Sequence, residues 1–244
     1  MANSAAAGHD GVSTIDSRFM LRIFYVFAAL ALASVVMSVG GKLIGRSIAM
    51  VGHTEDSTVL EIVIGNNVLS VPANMIRFEK ARRTGEAHRL DLYLKWPQMT
   101  GYTHADRDDF NHRDNLRNII FVTVEERLMS RDMSGRLEPI YRRLLELPGG
   151  PGPAAGLRVY AFSAESGYLN ESLVVGERAG QEAFVARCLT GAAASESLAG
   201  CERDIHVGDH LSLTYRFPET MLANWRALDA AVRAKALELL QTGG

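Results

Sequence analysis

The densest set of side chains able to do chemistry lies in one stretch, His104-Ala-Asp106-Arg-Asp108-Asp109-Phe-Asn-His112. Imidazoles and carboxylates are ligands for a divalent cation, and a catalytic site needs about three of them with one position open. His104, Asp106, Asp108 and His112 are therefore the candidate metal ligands. Their spacing matches neither HExxH nor an EF-hand loop, because Phe110 and Asn111 do not supply what that loop requires. Arg107 and Arg113 stand among the acids and would neutralise them. These charges favour a solvated loop, and a metal-dependent hydrolase built on the His104–His112 loop is the rival.

The remaining signals are weaker. His206 and His210 lie four apart beside Asp204 and Asp209. On a helix they would share a face, but this segment reads as strand, turn and strand. There is no GxSxG elbow and no SxxK. The run Pro148 to Gly156 lacks the Lys-Ser/Thr pair of a phosphate-binding loop. No catalytic constellation emerges, no cofactor is implied, and an enzyme is the less favoured class. Cys188 shows no signature of an activated thiolate, which would need a nearby His or a helix N-terminus. Cys188 and Cys201 flank a short loop instead, which reads as a local disulfide in an extracytoplasmic compartment. Two unrelated buried thiols in a cytoplasmic domain are the alternative.

The elements that must position these residues follow from periodicity. Thr58 to Ile64 and Val68 to Val71, joined by Gly65-Asn66-Asn67, read as a hairpin, since Gly and Asn supply the positive φ of tight turns. In Arg89 to Trp96 the Leu residues alternate, as in a half-buried strand. Asn118 to Glu125 is a strand apolar on nearly both faces. Leu137, Ile140, Tyr141, Leu144 and Leu145 follow helical spacing, with Pro139 tolerable only in a first turn. Further strands are expected over 157–162, 172–175, 183–189, 203–207 and 211–217. A long helix is expected over 219–241, with a face of Met221, Trp225, Leu228, Val232 and Leu239. That face packs on the sheet or forms a homo-oligomeric coiled coil. The pattern predicts an α+β fold: a mostly antiparallel sheet domain with a mid-chain helix and a long C-terminal helix.

Ahead of this domain, Ile23 to Val39 carries no charge and no Pro. Residues 19–41 would make a helix of roughly 34 Å at about 1.5 Å per residue, near the thickness of a hydrocarbon core. This predicts a single transmembrane anchor, preceded by a disordered tail (1–18) and followed by a juxtamembrane linker (42–56). The soluble domain then spans 57–244, with a possible subdivision near 148–156. Arg18 and Arg22 before the span balance Lys42 and Arg46 after it, so charge leaves the orientation tied. Only the cysteine pair argues for a domain facing outward.

The 244 residues are 47% hydrophobic and 22% charged, with a net charge of -2. That balance excludes a disordered chain and argues against a nucleic-acid binder. The stretch Gly65 to Arg77, a hairpin running into Pro72-Ala-Asn74, resembles a segment of uncharacterised proteobacterial envelope proteins. Cys201 to Trp225, with Tyr215-Arg-Phe-Pro218, is similar to the C-terminal part of uncharacterised membrane-anchored proteins of alphaproteobacteria. The resemblance implies location and no catalytic residues. The expectation is thus an inner-membrane protein with a periplasmic binding or accessory domain, whose partner is another envelope protein.

Overall fold

The computed structural model describes residues 17–50, 52–111 and 118–241. The chain falls into two compact units, Met1–Val51 and Gly52–Gly244.

In the first unit α1 (Ser17–Met50) is one helix of 34 residues. The transmembrane anchor expected over 19–41 is corrected here: among the described residues, no helix is long and apolar enough to cross a membrane. The physical reason lies in the run itself. Between Arg22 and Lys42 the large apolar residues are diluted by Ala28, Ala29, Ala31, Ala33, Ser34 and Ser38. The charge-free stretch between Arg22 and Lys42 is 19 residues, toward the short end of the range of about 17 to 25 for a span.

The second unit corrects the remainder of the expected fold class, because it contains two sheets and little helix. Its elements are β1 (Val59–Ile64), β2 (Asn67–Pro72), β3 (Gly85–Glu86), β4 (Arg89–Lys95), α2 (Arg107–Asn111) and β5 (Ile119–Glu126). They continue with β6 (Gly150–Pro151), β7 (Leu157–Ala161), β8 (Glu171–Gly176), β9 (Phe184–Leu189) and α3 (Gly191–Glu196). The chain closes with β10 (Cys201–Val207), β11 (Leu211–Phe217), α4 (Trp225–Leu239) and β12 (Leu240–Gln241). The small sheet has the order β12-β2-β1-β3 and the large one β4-β5-β11-β10-β9-β8-β7-β6. All pairings are antiparallel except the short one between β1 and β3.

The main core lies between the sheets and α4. Period-2 alternation sends Leu90, Leu92 and Leu94 inward from β4, and Ile120, Val122 and Val124 from β5. α4 adds Trp225, Leu228, Val232, Ala236 and Leu239 to the same core. The long C-terminal helix is shorter than its apolar period suggests: Glu219–Asn224 is 3-10, and β12 leaves the helix to pair with β2. Its apolar face is buried within this chain.

The mid-chain helix is also corrected, since only Tyr141–Leu144 is helical, as a single 3-10 turn. Pro139 has no N–H to donate and its ring blocks a regular turn. The carbonyl of Arg136 accepts from both Ile140 and Tyr141 instead. Met133, Leu137, Tyr141 and Leu145 nonetheless form a second core with Tyr160, Phe162, Leu173, Val175 and Val185, covering one flank of the large sheet's outer face.

Two hairpin ends are tied together by Asn67. Its side-chain amide donates to the carbonyl of Asp209 at 2.7 Å, and its Oδ1 accepts from the Asp209 N–H at 2.8 Å. Gly208, at φ +54, brings that turn in so close that a Cβ would lie 2.5 Å from Asn67 Oδ1. Asn67→Ala is expected to strand two backbone groups and to cost about 1 to 3 kcal/mol. Urea denaturation checks this, and an unchanged midpoint would refute it.

Between β9 and β10 the large sheet is nearly split. Only Cys201↔Cys188 and Glu202↔Arg187 are in register, although both strands continue beyond them. Where a further rung would form, the Arg203 guanidinium donates to the Val185 carbonyl at 2.8 Å. It also bonds Ser134 Oγ at 3.0 Å and Asp229 Oδ1 at 2.9 Å.

Candidate functional site

The fold distributes the sequence-nominated residues rather than converging them. Thr103 to Asn111 runs as a 3-10 turn into α2, with Asp106 N–H donating to Thr103 Oγ1. Asp106 and Asp109 both close on Lys95 of β4, at 2.5 and 2.6 Å. The hydrogen bonds from Lys95 and Thr103 hold the Asp106 carboxyl below its usual range. Both carboxylates are thus paired with an ammonium group. Asp108 is exposed beside Arg107, and the His104 backbone N–H donates to Glu55. His112 lies outside the described residues. Among the described residues, no group of three or more His, Cys, Asp or Glu is placed to hold a metal ion.

Behind that loop, Phe110 joins an aromatic cluster. His53 stacks on Tyr102 at 4.7 Å, meets Phe110 edge-on, and shares a hydrogen bond of 3.0 Å with Tyr93 OH. Burial lowers the His53 pKa, which favours the neutral imidazole within this packing. The cluster covers the β4 flank of the large sheet's outer face. The opposite flank is covered by the second core.

Between the flanks the outer face of β5, β11 and β10 stays open as a trough of about 210 Å³. Alternation places Glu125, Ser212, Thr214, Glu202, Asp204 and His206 on it, and Arg187 and Arg136 reach in from the side. These charges are mostly matched. Arg136 pairs with Asp204, and Glu202 accepts from Arg187 at 2.8 Å and Arg216 at 2.7 Å. Burial raises the Asp204 pKa. Burial also opposes ionisation of Glu202, but Arg216 and Arg187 outweigh it and its pKa falls.

His206 and Ser212 face each other in register, with Glu125 opposite Ser212. Among the described residues no hydrogen bond joins His206 to Ser212 or to a carboxylate, whereas a nucleophile and base must lie within that reach. His210 is elsewhere, exposed on the β10–β11 turn, where it bonds Arg127 at 2.8 Å. Cys188 and Cys201 are joined as a disulfide, buried between β9 and β10. At the end of β5, Leu128 stands 95% exposed and Met129 51% exposed beside the trough. Nothing in local sequence singled these two out, because an apolar pair after a strand is ordinarily buried.

No protein-family model matches the chain, and no curated protein matches it. Among solved structures it is similar to Smlt3025, an immunity protein of the Stenotrophomonas maltophilia type IV secretion system. That likeness has 12% identity and a TM-score of 0.50, over 78% of this chain and 96% of that one. At this identity it concerns the fold. The Neisseria meningitidis iron-regulated outer membrane lipoprotein FrpD is also similar, at 10% identity and a TM-score of 0.42, over 75% of this chain and 95% of that one.

Proposed function

We propose that this chain is an accessory protein of the bacterial envelope whose Gly52–Gly244 unit works in the periplasm by docking another protein. The observation that carries the reading is Leu128, 95% exposed with Met129 at the rim of a trough of matched charges. Apolar side chains held out beside a polar rim are the composition of a protein interface, where burying one such anchor contributes about 1.5 to 3 kcal/mol. The disulfide supports an oxidising compartment. An immunity protein of a secretion system is built on a similar fold, which is compatible with this reading.

The test is site-specific photocrosslinking from position 128 in cells, with Leu169, 73% exposed, as the control position. A discrete adduct is expected from position 128. Affinity for the purified partner should then fall about tenfold or more with Leu128→Glu and stay unchanged with Leu169→Glu. Equal affinity of the two variants would defeat the proposal.

A further inference from the structure

Arginines crowd one side of α4 without enough acid to neutralise them. A pocket of about 420 Å³ is lined there by Arg178, Arg226 and Arg233, with exposed Glu177 and buried Asp229. Arg203 stands behind Asp229, its Nε 2.9 Å from Oδ1. Arg203 is itself fully buried and does not line the pocket, so three guanidinium groups meet two carboxylates there and an excess of one positive charge remains.

Each surface arginine is also fixed. Arg226 lies over the Trp225 ring, 4.1 Å from its centroid, and Arg178 lies 5.2 Å from the same centroid. Arg178 bonds Asp229 Oδ2 through Nη2 at 2.8 Å, and Arg233 bonds it through Nε at 3.0 Å. Arg226 Nη1 donates to the Ala155 carbonyl at 3.5 Å, and among the described residues Arg226 makes no ion pair. Most of the N–H donors of this set have no acceptor among the described residues, while the planes that carry them are already held. Little side-chain freedom is then left to lose on binding.

We infer that this pocket binds a phosphate group in its dianionic form, as inorganic phosphate or a phosphate monoester. Guanidinium forks match phosphate oxygens in pairs, and stacking on an aromatic ring is a usual way of presenting them. Three guanidinium groups also offer more N–H donors than the two oxygens of a carboxylate can accept, whereas a phosphate monoester dianion presents three terminal oxygens. The pocket is wider than the phosphate group itself, which leaves space for the organic part of an ester. This site lies on α4, apart from the trough and Leu128, so the two readings stand or fall separately.

The test titrates inorganic phosphate, then glycerol phosphate, into the full-length chain at about pH 8, where phosphate is doubly charged, at constant ionic strength. The Trp225 indole N–H resonance is followed, with Trp96 as an internal reference. A saturable shift of Trp225 alone is expected, with affinity about tenfold or more weaker in Arg226→Gln. Arg233→Gln should weaken binding as well. Co-sedimentation with phosphatidic acid vesicles, but not with phosphatidylglycerol vesicles, and lost in Arg226→Gln, would support the site with a lipid headgroup as its source. A stationary Trp225 signal together with no such co-sedimentation would overturn the inference. So would equal stabilisation of wild type and Arg226→Gln by phosphate, which is the general effect of an excluded salt.

Discussion

Asp229→Asn is expected to destabilise the Gly52–Gly244 unit by about 3 to 5 kcal/mol, a fall in Tm on the order of 10 °C. Asp229 is 1% exposed and is the common acceptor for Arg203, Arg178, Arg233 and Tyr215. An amide keeps the shape but leaves the fully buried Arg203 without its counter-charge. The wedge between β9 and β10 then loses its anchor. Arg233→Ala removes a partly exposed member of the same set and should cost far less, about 1 kcal/mol or below.

The pH dependence identifies the cause. Burial opposes ionisation of Asp229, but Arg203, the Tyr215 hydroxyl, Arg233 and Arg178 outweigh it and hold the carboxyl well below the usual range. A folded pKa below the unfolded value of about 3.9 gives stability that is complete above that pH and lost as the pH falls. The difference between wild type and Asp229→Asn should therefore be constant from neutral pH to about pH 4 and narrow below it. Asp204, whose buried carboxyl shifts the other way, is present in both proteins and does not enter the difference. Denaturation midpoints at a series of pH values decide the matter: a gap that does not narrow in acid would show that the loss is one of packing.

Removing the disulfide should be the next largest loss. Cys188 and Cys201 are 13 residues apart, and in the chain-entropy account closing a loop of about 15 residues contributes about 3 kcal/mol. The fold directs where that loss is felt. With only two pairs in register between β9 and β10, the disulfide joins the two halves of the large sheet at a junction with few backbone hydrogen bonds. Cys188→Ala/Cys201→Ala is expected to lower stability by that amount. Amide exchange in 184–189 and 201–207 should accelerate more than in β4 and β5. Uniform acceleration throughout the sheet, or no loss of stability, would contradict this placement.

The positions of many strands were legible because alternation is a local property. The leucines of Arg89 to Lys95 and the hairpin at Gly65 are set by residues within a few positions of one another, as is the proximity of the two cysteines in sequence. Helical spacing was less informative. The Leu137 to Leu145 pattern fits a helix, yet Pro139 and the need to cover β7, β8 and β9 turn it into a series of turns. Likewise the apolar run before Lys42 suggested a span, and its length and Ala content did not sustain one.

The candidate sites divide in the same way. Sequence alone determined which residues could do chemistry, where the charges cluster and which strands alternate. It pointed to His104, Asp106, Asp108 and His112 because ligand types adjacent in sequence are easy to see. Tertiary structure decided that Asp106 and Asp109 serve Lys95. It also decided that Arg203 and Asp229, 26 residues apart, share one buried network, and that Leu128 stands in solvent. The physical reason is range. Periodicity and turn chemistry act within one element, whereas ion pairing, desolvation and exposure depend on which elements meet, and in this chain those meetings are made across the two sheets and α4.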